Sequence, residues 1–291
     1  MTELDFQAPA DLAGALALLA SAGAGAGATR LLAGGTDLMV QMRSGRADPA
    51  RIVDLKRIPG LMGIEADAGG FLIGAATSCA RIGEHAGLAA AWPGVVEAAR
   101  LIGSTQVQGR ASLGGNLCNA SPAADSVPAL IAAGATCLIA GPAGRREIAV
   151  EALPLGPGRH CLAPGELVLA IRLPARAAHS GDAYLRLIPR TEMDIAVVGA
   201  GVALTIDAQG RVVAARVALG AVAPTALRVD AAAQALLGST LDEPALARLA
   251  AAASAACRPI DDKRGTAEYR IRVAGVLARR AARIAYERAT A

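Results

Sequence analysis

At 291 residues the chain is long enough for about two domains, and a hydrophobic fraction of 54% gives it material for a large core. Its apolar runs are broken by Arg, Asp, Gly and Pro before the roughly 18 residues of a membrane-spanning helix are reached, and the opening Met1-Thr2-Glu3-Leu4-Asp5 is acidic where a secretory leader is basic, so a cytoplasmic protein is expected. Formal net charge is +4, but 27 of the 29 basic residues are Arg spread along the chain and only six aromatics occur, a poor basis for a nucleic-acid surface.

In chain order, Asp11 is placed to cap a helix with Leu12, Leu16 and Leu19 on one face, which residues 21–28 close. Residues 29–33 read as a short buried strand, Gly34-Gly35 as a turn, and 36–43 as a helix stopped by Gly45. Strands are expected at 51–55 and 71–75. A helix follows at 93–102, with Pro93 in its first turn and Gly103 past its end. Beyond these, 126–133 reads as helix, 136–140 as strand, and 166–173 as an alternating strand ended by Pro174.

Residues 1–175 are thus expected to form one domain, with parts at about 1–55 and 56–175. The polar stretch 175–182 reads as a linker to a second domain over 183–291. There, 184–188, 195–207 and 212–221 have strand character, the last two joined through Ala208-Gln209-Gly210. Helices follow at 229–237, at 244–256 with Asp242 as cap, and at 265–289. Five cysteines without a Cys-x-x-Cys pair and three histidines without helical metal spacing support neither a disulfide framework, nor an iron–sulfur cluster, nor a metal site.

Two glycine pairs carry the chemistry. In Leu31-Leu32-Ala33-Gly34-Gly35-Thr36-Asp37-Leu38, a turn without Cβ atoms feeds a helix start, where free N–H groups suit a diphosphate. The same residues also suit an ordinary turn with Thr36 as cap and Asp37 facing the helix dipole. No Gly-x-Gly-x-x-Gly and no Walker lysine is present. Ala111-Ser112-Leu113-Gly114-Gly115-Asn116, running on to Asp125, combines backbone donors, an amide and a carboxylate in one irregular segment. A purely structural Ω-loop remains the alternative.

Together with Ser121-Pro122-Ala123-Ala124-Asp125, these segments resemble the two flavin loops of the FAD-binding medium subunit of the molybdenum hydroxylases, the aerobic carbon monoxide dehydrogenase and bacterial xanthine dehydrogenase group. The residues 166–174, Asp194-Ile195-Ala196-Val197-Val198 and Tyr269-Arg270 are similar to later landmarks of that subunit. The resemblance implies an α+β fold: a two-part FAD-binding domain of the vanillyl-alcohol-oxidase-like type, then a smaller domain of antiparallel strands and helices.

It further implies that residues 31–38 line the pyrophosphate, with the Gly34, Gly35 and Thr36 amides as donors. Ser112, Gly114, Gly115 and Asn116 would meet the diphosphate and the flavin side, and Asp125 the ribityl or adenosine portion. Ile102, Gly103 and Val168 match positions near the ring system, Arg186 a basic position near its carbonyl edge, and Arg190-Thr191-Glu192-Met193-Asp194 a loop able to cover one face. The implied partners are a large molybdopterin-binding subunit, a small [2Fe–2S] subunit and a small-molecule electron acceptor. Two other readings of the same loops are a self-sufficient flavin oxidase and a non-enzymatic nucleotide-binding subunit.

Overall fold

The computed structural model describes residues 4–21, 29–67 and 69–291; the segment 22–28 expected to close the first helix lies outside them. The first sheet has three parallel strands, β1 (Asp5–Gln7), β2 (Thr29–Leu32) and β3 (Arg51–Asp54), in the order β1-β3-β2. Ile52 and Val53 of the central strand are fully covered, as a parallel strand with both neighbours requires. Helix α1 (Leu12–Ala20) is capped by Asp11, whose carboxylate accepts from the Gly14 N–H at 2.8 Å. Helix α2 (Leu38–Arg43) follows β2 across the first glycine pair.

The second sheet contains β4 (Ile64–Asp67), β5 (Gly70–Gly74), β6 (Thr136–Gly141), β7 (Gly144–Ala149) and, after a small ribbon of β8 (Pro154–Gly156) and β9 (Arg159–His160), β10 (Leu167–Leu173). All its pairings are antiparallel, in the order β4-β5-β10-β6-β7. The central β10 is not the half-exposed alternating strand its sequence suggests. Val168, Ile171 and Leu173 enter one core cluster while Leu167, Leu169 and Ala170 enter another, with a register shift between Val168 and Ala170 that re-aims the chain. Helices α3 (Cys79–Glu84), α4 (Ala86–Ala91), α5 (Pro93–Arg100), α6 (Thr105–Gln108), α7 (Leu113–Cys118) and α8 (Ser126–Ala132) connect β5 to β6.

A third, four-stranded antiparallel sheet runs β11 (Ser180–Leu187), β12 (Val198–Ile206), β13 (Val212–Gly220), β14 (Leu227–Arg228). It carries α9 (Asp230–Gln234), α10 (Glu243–Ala256) and α11 (Ala267–Thr290), an alanine-rich helix pressed onto β11 and β12. The architecture is α+β, as expected. Helix α8 wedges under this sheet: Cβ atoms at Gly201 and Gly220 would strike Pro128.

The stretch read as a linker is tied down at both ends. Arg176 pairs with buried Asp182 at 2.6 Å and stacks 4.8 Å over the Trp92 ring, while Asp182 also accepts from the Gly94 N–H at 2.9 Å. The two ends of the stretch are fixed by this ion-pair network, while Ala177, Ala178 and His179 between them are exposed.

Candidate functional site

The two glycine segments, some eighty residues apart in sequence, meet along one side of a cleft of about 380 Å³. Their contact is main chain against main chain. A Cβ at Gly34 would run into the Arg110 carbonyl and sit 3.1 Å from the Ala111 nitrogen. Gly35 turns the chain with φ +80°, where a side chain would be strained. The N–H groups of Gly34, Gly35 and Thr36 find no acceptor among the described residues.

The second glycine pair lies inside a helix rather than in an irregular loop. Ser112 caps α7 by accepting from the Gly115 N–H at 3.1 Å, and the Gly114 N–H donates to the Ala75 carbonyl at 3.1 Å. Gly114 must lack a side chain, because its Cβ would lie 2.5 Å from that carbonyl oxygen. Gly115 is different: only Ser112 Oγ, at 3.1 Å, stands near its Cβ position, so this face of α7 is open to the cleft. The cap and the tight approach to Ala75, just past β5, override the poor helix propensity of two glycines.

The whole run Leu31, Leu32, Ala33, Gly34, Gly35, Thr36, Asp37 and Leu38 borders the cleft. Helix α2 starts at Leu38 rather than at Thr36, and Asp37, in its cap position, makes no side-chain capping bond. Desolvation raises the Asp37 carboxyl pKa although the residue as a whole is exposed. Ser112, Gly114, Gly115, Asn116, Ile102 and Val168 border the same space. The Asn116 carboxamide oxygen accepts from Ser126 Oγ at 2.7 Å, which leaves its NH₂ as the group free to donate. Gln41 Nε2 donates to Asn119 Oδ1 at 3.2 Å, a second tie between the two halves.

Three of the expected residues stand elsewhere. Gly103, with φ +64°, packs against Val107 just past the end of α5. Asp125 and Arg186 are paired with each other at 2.6 Å, and Tyr184 Oη donates to the same carboxylate at 3.0 Å. Burial carries the Asp125 carboxyl up to about 6, against the pull of Arg186 and Tyr184. Met193 is exposed with φ +54°, and its loop is latched through Asp194 to Arg190 and Arg264. Asp194 is accordingly held down near 2.

The far wall is formed by residues that the sequence did not single out for the site: His160, Leu162, Gly165 and Glu166. Arg146 grips Glu166 with two bonds of 2.7 Å, and the Ala163 N–H donates to it at 2.8 Å, lowering its pKa to about 2. Arg146 lies twenty residues upstream on a separate strand, so no local pattern announces the pair. Arg30 of β2 also borders the cleft, exposed and without a hydrogen-bond or ion-pair partner among the described residues.

Residues 2–176 match the model of the FAD binding domain in molybdopterin dehydrogenase, and 183–285 that of the CO dehydrogenase flavoprotein C-terminal domain. The chain belongs to this family. It is 37% identical to the carbon monoxide dehydrogenase medium chain of Afipia carboxidovorans, over 98% of this chain and 97% of that one. Against the putative xanthine dehydrogenase FAD-binding subunit XdhB of Escherichia coli K12, identity is 30% over 83% of each chain.

Among solved structures, a chain of reconstituted CO dehydrogenase from Oligotropha carboxidovorans superposes with a TM-score of 0.93, at 36% identity and 98% coverage of both chains. The protein is therefore an FAD-binding medium subunit of the molybdenum hydroxylase type, an oxidoreductase subunit with FAD as its cofactor. Among the described residues, no helix is long and apolar enough to cross a membrane, and no cluster of His, Cys, Asp and Glu is disposed to hold a metal ion.

Proposed function

We propose that the chain holds FAD in the cleft between its two glycine segments and relays electrons from the [2Fe–2S] clusters of a small partner subunit to a small-molecule acceptor. A large molybdopterin-binding subunit would supply them. The observation that carries this reading is the contact of Gly34 with the 110–111 backbone. It places unpartnered amides, an open glycine face on α7 and the Asn116 NH₂ around one narrow space. Such a cradle suits a dinucleotide: any Cβ at position 34, 35 or 115 would either collide or intrude.

In this reading the amides of Gly34, Gly35 and Thr36 donate to the diphosphate, and Arg30 supplies a cation at the mouth. Ser112, Gly114, Gly115 and Asn116 support the opposite side of the diphosphate and the flavin. Ile102 and Val168, both largely buried, give the isoalloxazine an apolar, water-excluding floor. The pairing of Asp125 with Arg186 ties the start of α8 to β11 and supports a structural part for both. When bound, the flavin supplies the exchange between one- and two-electron steps, while the protein contributes position and electrostatics. The medium-chain and subunit names of the relatives favour a partner-dependent role.

Purification tests the reading directly. The chain should carry flavin absorbance, show no turnover with organic substrates alone, and take electrons once its partners are added. Steady turnover by the isolated chain would favour a self-sufficient oxidase instead, and absence of any FAD binding would refute the proposal.

A further inference from the structure

Lys56, one of only two lysines in the chain, stands directly behind the first glycine pair. Its Nζ donates to Asp54 Oδ1 at 2.7 Å and to the Ala33 carbonyl at 2.9 Å, and its own N–H donates to the same Asp54 oxygen at 3.0 Å. Both side chains of the ion pair are largely shielded, at 22% and 15% exposure, so solvent competes weakly for the contact. Register brings the carbonyl within reach: Leu32 pairs with Asp54, and the Leu55 N–H donates to the Leu32 carbonyl at 3.0 Å. Lys56 does not border the cleft, whereas its neighbour Leu55 does.

We propose that Lys56 is a positioning residue for the diphosphate loop, which rests on the FAD reading above. Every described peptide bond is trans, and in a trans peptide the C=O and N–H point in opposite directions. Fixing the Ala33 oxygen on an ammonium behind the loop therefore aims the Gly34 N–H the other way, toward the cleft that Gly34 borders. Asp54 holds the ammonium through one bond and the Lys56 main chain through another, so the lysine is fixed at both ends and the carbonyl is held against it. The positive charge also raises the polarity of that peptide and makes its N–H a better donor to an anion. Without Lys56 this peptide unit loses its anchor, and Gly34, the residue that carries the N–H, has no Cβ to resist its rotation.

The test titrates the apo chain with FAD by flavin fluorescence, records its melting temperature without FAD, and takes the ³¹P spectrum of the FAD-saturated protein. Lys56→Met should weaken FAD binding about tenfold, the scale of one misdirected donor to a charged acceptor. The phosphorus resonances should shift while the flavin visible spectrum stays unchanged, and Lys56→Arg should recover most of the affinity. The double variant Asp54→Asn/Lys56→Met removes the carboxylate left without its cation; it should melt near the wild type yet retain the FAD defect.

Unchanged FAD affinity and phosphorus shifts in a folded Lys56→Met or double variant would overturn the proposal. So would an affinity loss that the double variant restores along with stability, since that marks a strut for the fold alone. Failure of the wild-type apo chain to bind FAD would instead overturn the functional reading on which the proposal rests.

Discussion

Gly115 and Gly34 separate cofactor space from folding space. At Gly115 an added Cβ meets only Ser112 Oγ at 3.1 Å, so Gly115→Ala should leave the apo chain as stable as before or raise its stability by up to about 1 kcal/mol through helix propensity. Gly115→Leu sends its side chain into the cleft and should abolish FAD uptake. Free FAD at one hundred times its dissociation constant stabilises a binding-competent chain by about 2.7 kcal/mol, which for a protein of this size is a rise of roughly 5–10 °C in Tm.

Wild type should show that rise on adding FAD and Gly115→Leu should not, although their apo melting temperatures agree. Gly34→Ala forces a methyl into the Arg110 carbonyl and should cost about 1–3 kcal/mol even without FAD. Calorimetry of the three apo chains with and without FAD, beside flavin absorbance, gives the answer. Full flavin retention by Gly115→Leu, or a Gly34→Ala chain as stable as wild type, would refute the reasoning.

Because the folded chain keeps the Asp125 proton up to about pH 6 while the unfolded chain releases it near 3.8, the contribution of Asp125 makes stability fall as pH rises between those values. Urea unfolding of wild type against Asp125→Asn from pH 4 to 6.5 should isolate that slope, and parallel curves would contradict it. Glu166 and Asp194 act in the opposite sense: both sit near 2 when folded, so their contribution is present above about pH 4.5 and lost as pH falls toward 2. Glu166→Gln should flatten that acid limb, and an unaltered limb would argue against the Arg146 grip.

Arg270 of α11 is 3% exposed and donates to the Val197 and Ala221 carbonyls and to Asp262. Arg270→Ala should therefore destabilise by about 3–5 kcal/mol in denaturant unfolding. A loss under about 1 kcal/mol would show those carbonyls satisfied by other groups.

The elements that can be read from sequence are those whose signals are local. Asp11 and Asp242 cap the helices expected of them, and Pro93 opens α5. The glycine pairs mark the cleft because glycine is the residue that permits main-chain contact at close range. What escapes a linear reading depends on distant partners. The α7 helix forms because Ser112 caps it and Gly114 fits beneath Ala75. The far wall of the cleft depends on Arg146 reaching Glu166. Asp125 and Arg186, charged residues that look like ligands for a cofactor, satisfy each other across sixty-one positions. The stretch read as a linker likewise has its two ends tied by an ion pair, Arg176 with Asp182, that its composition does not announce.

The backbone contact between residue 34 and residues 110–111 bears on how such subunits can be recombined. A chimera that takes its first sixty residues from one relative and the remainder from another inherits the two sides of this seam from different parents. No rotamer can absorb a misfit there, because no side chain lies between the strands of main chain. Successful crossovers should fall outside the interval between the two segments, and any insertion that shifts either one by a fraction of an ångström should be felt first as lost flavin.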